Sequence, residues 1–451
     1  MQSFLYSLYE FHFKIVGVLN MRSLNLRERR KIFRQADPVD RNVVFFAAEG
    51  AFFALIPSLG TNTNNLFLSR LGASDYQLSL LSMLAQIVSM AALIPLAIFT
   101  DRLRDKRRMV TLLLVFIGGC YLCAAVVPLF GSAALYPMIV FVGLAVGGVE
   151  ICTSSWQAFF ADATPPEARN RTFAARNQAT FTMNICIPLI AGFILTAEGN
   201  QQAQIITHQI YYCVIAAAAV CNIWMLRKIQ GGAVVTPAGK NFRDFLEALR
   251  SLVHNKRFLF FAAVAFLFYT TWRLDGTIFY LGQVKYVGLS DFWYTFSNVC
   301  CGIAQFLSIR FWARRNEQLG VRCVIIFGAI GLVLSPLCII IPLQFEGVER
   351  LVIHLVLRCM SDLTFATVTL NVLQNLLQVV EEKNRALSIA AYSTLICLTS
   401  AVSPMIGVSI YSGLGSDQTA IIQTFLILLG VRLVSVGALF FRWWILRKEP
   451  K

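Results

Sequence analysis

Twelve stretches of mostly apolar residues, each about the length of a bilayer crossing, follow one another along the chain. They lie near 42–68, 78–100, 109–129, 137–161, 172–196, 210–225, 258–280, 292–312, 323–341, 351–380, 388–412 and 420–441. A spanning helix needs about 20 apolar residues. In lipid every backbone amide must find its partner inside the protein, so runs of this length specify helices. Only 14% of the residues are charged and 57% are hydrophobic, against about 25% charged in an ordinary soluble domain. The expected fold is all-α: a polytopic membrane protein of twelve transmembrane helices.

Lys and Arg set the orientation. With the N-terminus inside, 32 of the 39 fall in cytoplasmic loops and termini. Only Arg70, Lys285 and Arg350 fall in outer loops, and Arg176, Arg273, Arg358 and Arg432 are embedded. The positive-inside bias then puts both termini in the cytoplasm. Four of the inside cations belong to the last stretch, 442–451. The net charge of +15 is confined to the spaces between apolar runs, so a bilayer is the expected partner and nucleic acid is not. All twelve Cys lie within or beside apolar runs. Cys120 and Cys123 form a CxxC inside one of them and read as helix wall, since a redox or zinc site needs a polar, accessible setting. No metal or cofactor is expected. Residues 1–20 lack a basic start and a small-residue cleavage site, so no cleavable signal peptide is expected. Either they lie on the membrane surface or Met21, which opens a strongly basic stretch, is the natural start.

The longest polar interval, 226–257, divides the chain. The domains expected are a cytoplasmic segment 1–41, a six-helix half 42–225, the linker 226–257, a second half 258–446 and a tail 447–451. Phe242, Phe245, Leu246, Leu249, Leu252 and Val253 recur at helical spacing, which predicts an amphipathic helix in the linker. The halves repeat. Glu167-Ala-Arg-Asn-Arg171 matches Glu381-Glu-Lys-Asn-Arg385, Phe45-Phe-Ala-Ala48 matches Phe260-Phe-Ala-Ala263, and Gly72-Ala-Ser-Asp-Tyr76 matches Gly288-Leu-Ser-Asp-Phe292. All three share nearly one offset. Six helices return the chain to the same side, so the repeat is parallel, as in a transporter built on an axis along the membrane normal.

At this point the chain resembles the major facilitator superfamily over about residues 42–446. The loop Asp101-Arg102-Leu-Arg104-Asp105-Lys106-Arg107-Arg108 resembles its signature loop, an Asp-Arg followed by a basic cluster. Ala97 and Arg104 stand where that family usually has Gly. The stretch from Trp156 through Asp162, Arg169 and Arg171 to Arg176 resembles the loop between helices 4 and 5 of many bacterial members. The resemblance implies alternating access, with two halves rocking about a cavity lined mainly by helices 1, 4, 7 and 10. It also implies cytoplasmic charged loops that hold the outward-facing state closed. The gate candidates are Asp101, Arg102, Asp162, Arg171, Arg176, Glu381 and Arg385. Arg104 and Lys106–Arg108 read as ordinary anchoring.

Four acids are embedded, one each on helices 1, 4, 7 and 10: Glu49, Glu150, Asp275 and Asp362. Embedded charges are expensive and face a cavity or a partner. His354, Arg358 and Asp362 form an i, i+4, i+8 stripe, so Arg358 can pair with Asp362, or Asp362 can face Glu150 across the cavity. Trp272 and Arg273 stand beside Asp275. Glu49 can serve the pathway or a gate. Arg432 reads as peripheral or snorkelling. Asn62 and Asn65, within Thr61–Asn65, suit a polar solute or helix–helix hydrogen bonds. The pathway candidates are thus Glu49, Asn62, Asn65, Glu150, Trp272, Arg273, Asp275, His354, Arg358 and Asp362.

The expected function is secondary active transport of a small, polar organic solute across the cytoplasmic membrane by a monomer, coupled to protons. Its alternative is a multidrug efflux proton antiporter, against which stands the absence of Gly before Pro188 in helix 5. No GxxxxGK[ST] phosphate loop is present, so ATP does not drive this chain directly. No nucleophile–base pair, metal cluster or sizeable extramembrane domain supports an enzyme or receptor.

Overall fold

The computed structural model describes residues 37–447 except Asn62, Gln378, 380–384 and most of 232–253. For some helical residues, Asp101, Arg102 and Arg385 among them, it describes the backbone alone. Of the expected linker helix only Arg243, Glu247, Arg250 and His254 are described, and all four are helical; its apolar positions lie outside the described residues.

Each apolar run forms a helix, or a broken one. In chain order they are α1a (Pro38–Leu59) with α1b (Asn64–Arg70), α2 (Asp75–Arg102), α3 (Arg107–Val126), α4 (Leu135–Ala163), α5 (Pro166–Ala197) and α6 (Gln201–Lys228). The second series is α7a (Lys256–Arg273) with α7b (Gly276–Leu281), α8 (Asp291–Leu319), α9a (Val321–Leu334) with α9b (Leu337–Ile340), α10 (Gly347–Leu377), α11 (Arg385–Gly413) and α12 (Gln418–Leu446). Most helices extend beyond their apolar runs because polar caps begin them earlier. Asp37 accepts from the Val39 amide and Pro38 opens the first turn, while Asn200, Asn255 and Asp417 cap α6, α7a and α12 in the same way.

Among the described residues, eleven helical stretches are long and apolar enough to cross a membrane. The expected twelfth, α8, is a 29-residue helix that falls short in hydropathy. It carries Ser297, Asn298, Gln305 and Ser308 through its middle. The all-α, multi-pass architecture is otherwise as expected.

The internal repeat is visible in the backbone. Gly72 and Gly288 both adopt the left-handed conformation, at φ 83° and 79°, which favours glycine. Two residues later the hydroxyls of Ser74 and Ser290 accept from the amides of Gln77 and Trp293, each at 3.4 Å. Asp75 and Asp291 then open α2 and α8, where an acid suits the positive end of the helix dipole.

Packing gathers the chain into two units. Of the described residues, one takes in those up to 67, 95–191 and 200–231; the other takes in 68–94, 192–199 and those after 240. The units do not follow the repeat boundary. The end of α1b, most of α2 and the end of α5 pack with the helices of the second series.

Candidate functional site

The four embedded acids meet three different fates. Glu49, on α1a, is 1% exposed. Arg176 of α5 donates Nε to its Oε2 at 2.8 Å. The same guanidinium lies 3.7 Å from the Trp156 ring of α4. Asn222 of α6 donates to the Glu49 backbone carbonyl and, at 3.2 Å, to its Oε1. Four helices of the first unit thus converge on one sealed ion pair. Gly50 gives the Arg176 stem its room, since a Cβ there would overlap the Arg176 side chain.

Asp275 sits in the break between α7a and α7b. Arg432 of α12 pairs with it at 2.6 Å. Arg432 also donates to the carbonyls of Leu332, Trp272 and Thr271 and to Ser335 Oγ. The expectation of a peripheral or snorkelling Arg432 is corrected: it is the largest fully buried side chain in the described chain. Its guanidinium caps carbonyls at the ends of α7a and α9a.

Asp362 is held more loosely. Gln305 of α8 donates to its Oδ1 at 2.7 Å, while Arg358 Nε stays 4.0 Å from its Oδ2. Arg358 donates instead to Asn298 Oδ1 at 2.7 Å. Both side chains keep about a fifth of their surface exposed, 18% and 21%. The local i, i+4 pairing read from the sequence is present, at the outer limit of an ion pair. Glu150, on α4, is exposed.

His354 is fully buried. Its Nδ1 meets the Cys338 carbonyl at 2.6 Å and its Nε2 meets the Gln283 amide at 3.0 Å, which places it as a tie between α10, α9b and the end of the α7 segment. Trp272 packs, tilted, with its ring centroid 4.8 Å from that of Phe365 and 5.5 Å from that of Tyr269, and Arg273 lies over its face at 4.5 Å. The polar run of helix 1 falls at the α1a–α1b break, where Thr63 Oγ1 donates to the Leu59 carbonyl. Asn64 accepts from Tyr212 of α6 at 2.8 Å, a helix–helix bond. Asn65 is half-buried, and Asn62 lies outside the described residues.

Of the gate candidates, Asp162 pairs with Lys106 at 2.9 Å, and Arg171 pairs with Asp40. Beside Lys106, Arg107 donates to the Gly231 carbonyl at 2.6 Å. Arg176 is the partner of Glu49 rather than a loop residue. Glu381 and the side chains of Asp101, Arg102 and Arg385 lie outside the description. Gln305, Asn298, Asn222 and Arg432 were missed by sequence reasoning. An amide in an apolar run was their available signal, and for Arg432 its position in mid-run.

A further set of contacts within the second unit joins segments of the first repeat to α7b and α8. Arg70 pairs with Asp291. Ser69 and Tyr280 share a hydrogen bond at 3.0 Å, Ser79 donates to Thr277 at 3.0 Å, and Thr196 accepts from the Phe292 amide at 2.9 Å. At Gly192 any Cβ would overlap Thr295.

Comparison with known proteins bears on what this arrangement serves. The model described as Major Facilitator Superfamily matches residues 42–341. No curated protein sequence matches the chain. Solved structures share its fold. The nucleoside transporter NupG superposes with a TM-score of 0.67 at 12% identity, over 88% of this chain and 97% of that one. The xylose transporter XylE from E. coli, in a partially occluded inward open conformation, gives 0.60 at 12%, over 92% and 100%. A D-xylose-proton symporter gives 0.59 at 14%, over 89% and 96%.

Proposed function

The chain belongs to the Major Facilitator Superfamily, and from that premise we propose that this multi-pass membrane transporter moves a small polar organic solute by alternating access, coupled to protons, across the cytoplasmic membrane. Both termini lie in the cytoplasm, as the distribution of Lys and Arg supports.

The observation that carries the coupling is the sorting of the embedded acids. A coupling carboxylate must gain and lose a proton as its surroundings alternate. A carboxylate locked in a buried ion pair ties its helices together and is costly to separate from its partner. Glu49 and Asp275 are each sealed against such a partner. Asp362 has an amide donor, a guanidinium at 4.0 Å and part of its surface open, and Glu150 is exposed. These two stand at near-equivalent positions of the repeat, on α4 and α10. The aromatic cluster Tyr269, Trp272 and Phe365, with Arg273 over Trp272, supports a solute that both stacks and hydrogen-bonds. The solutes named for the neighbours, a nucleoside and xylose, are of that kind, and one neighbour is a proton symporter.

Counterflow in proteoliposomes, screened over nucleosides, sugars, amino acids, peptides and dyes, identifies the solute. Glu150→Gln or Asp362→Asn is then expected to abolish accumulation driven by a pH gradient while leaving solute exchange partly intact. If both variants still concentrate the solute under ΔpH, these two acids do not carry the proton. If only dyes exchange, the polar-solute reading fails and efflux replaces it.

A further inference from the structure

α8 is the helix that falls short in hydropathy, and two of its amides, Asn298 and Gln305, act on one pair of charges. Asn298 Oδ1 accepts from Arg358 Nη2 at 2.7 Å, and Gln305 Nε2 donates to Asp362 Oδ1 at 2.7 Å. Arg358 and Asp362 stand at i, i+4 on α10, a spacing at which opposite charges are neighbours. Their Nε and Oδ2 nevertheless stay 4.0 Å apart. Each charge takes its short bond from α8 instead. Arg358 is steadied further by the Phe279 ring of α7b, 5.2 Å from its guanidinium. All of these residues belong to the second unit.

α8 and α10 run parallel, because their bonded partners advance together: Asn298 with Arg358, Gln305 with Asp362 and, further along, Asn316 with Asn371 at 2.6 Å. At about 1.5 Å of rise per residue, the seven residues from Asn298 to Gln305 span about 10.5 Å of axis, while the four from Arg358 to Asp362 span about 6 Å. The amides therefore bracket the pair and draw its members apart, one from each end. An Arg placed N-terminal to its acid is already the weaker order of an i, i+4 pair, and the amides add to that bias. Titratable side chains that also face the two charges are Tyr294 and Cys301 of α8, Cys338 of α9b, and His354 and Cys359 of α10. We propose that Asn298 and Gln305 are positioning residues that together hold Arg358 and Asp362 open, so that Asp362 is never locked as Glu49 and Asp275 are. The hold itself is independent of the transported solute. Its service to a proton at Asp362 rests on the coupling reading given above.

The test is a set of double-variant cycles on the purified full-length protein, read as thermal unfolding in detergent. In the wild-type background the Tm losses of Arg358→Gln and Asp362→Asn are expected to add, because the pair is open. In Asn298→Ala the guanidinium is free to close on Asp362. The two losses then stop adding, by several degrees, since the second neutralisation costs less once the first is made. Gln305→Ala releases the other end of the pair and is expected to do the same, which keeps the test decisive where Asn298→Ala does not fold. Asn298→Asp keeps an acceptor for Arg358 and is expected to leave the losses additive. Equal coupling with and without the amides overturns the proposal, as does strong coupling in the wild-type background. If the coupling follows the expected pattern while Asp362→Asn still accumulates solute under ΔpH, the hold stands and the proton assignment alone fails.

Discussion

Arg432 and Asp275 show how much depends on a single embedded charge. Arg432 binds carbonyls from α7a and α9a and a carboxylate at the α7 break. Removing one partner leaves the other charge buried and uncompensated, which costs about 3–5 kcal/mol. Asp275→Asn or Arg432→Met is therefore expected to lower the thermal unfolding temperature sharply in detergent. The double variant should recover part of the loss, because neither charge then remains. If the single variants unfold at the wild-type temperature, the pair does not hold the break. Glu49→Gln is expected to behave like Asp275→Asn, with Arg176 left against Trp156. These pairings were not legible in the sequence. Arg176 and Glu49 are 127 positions apart, and nothing local to an apolar run says which face an embedded Arg presents. The Arg358–Asp362 contact was legible because i, i+4 neighbours on one helix are fixed by helix geometry alone.

The helices themselves were legible because the bilayer demands runs of a set length. Their breaks were less so. The polar run Thr61–Asn65 reads equally as a solute-facing strip, and it proves to interrupt helix 1. The break in α7 has no Pro or long polar run to announce it. α11 packs tightly on it, where Gly407 sits so close that an added Cβ would overlap the Leu274 carbonyl, with Pro404 beside Gly276. Gly407→Ala is expected to push α11 off the break, at about 1–3 kcal/mol for overpacking, and to reduce transport. Gly430→Ala on α12 meets nothing within 4 Å. It is expected to be neutral or to stabilise by up to about 1 kcal/mol, through helix propensity. Unfolding temperatures and transport rates of the two variants, side by side, check this. Equal behaviour would mean that close helix approach at Leu274 is not required.

At the scale of the whole molecule, orientation and gating can be tested together. With the proposed topology, Cys introduced at Ser74 or Gly199 labels from outside, and Cys at Asn316 or Gly232 labels only after permeabilisation. The reverse pattern would overturn it. The ends of α1b, α2 and α5 that bind α7b and α8 then face outward. On the proposed topology and alternating access, the Arg70–Asp291 pair and the three hydrogen bonds beside it would act as an outer latch. Alternating access requires all of them to part when the transporter opens outward. Because the pair is mostly buried, at 12% and 14% exposure, its loss is worth more than a surface bridge. A bias of about 1.4 kcal/mol corresponds to a tenfold shift in the conformer ratio, within the usual range of conformational coupling. Ser79, which bonds Thr277, is fully buried in the closed arrangement. A Cys there reports opening. Arg70→Gln is expected to speed labelling of Ser79→Cys by an impermeant reagent about tenfold and to slow return to the closed state. Asp291→Asn also weakens the start of α8, so Arg70→Lys, which keeps the charge and leaves Asp291 in place, is the cleaner companion and should keep labelling nearer the wild-type rate. Unchanged labelling in Arg70→Gln would mean that the pair orders the turn between α1b and α2 without holding the outer side shut.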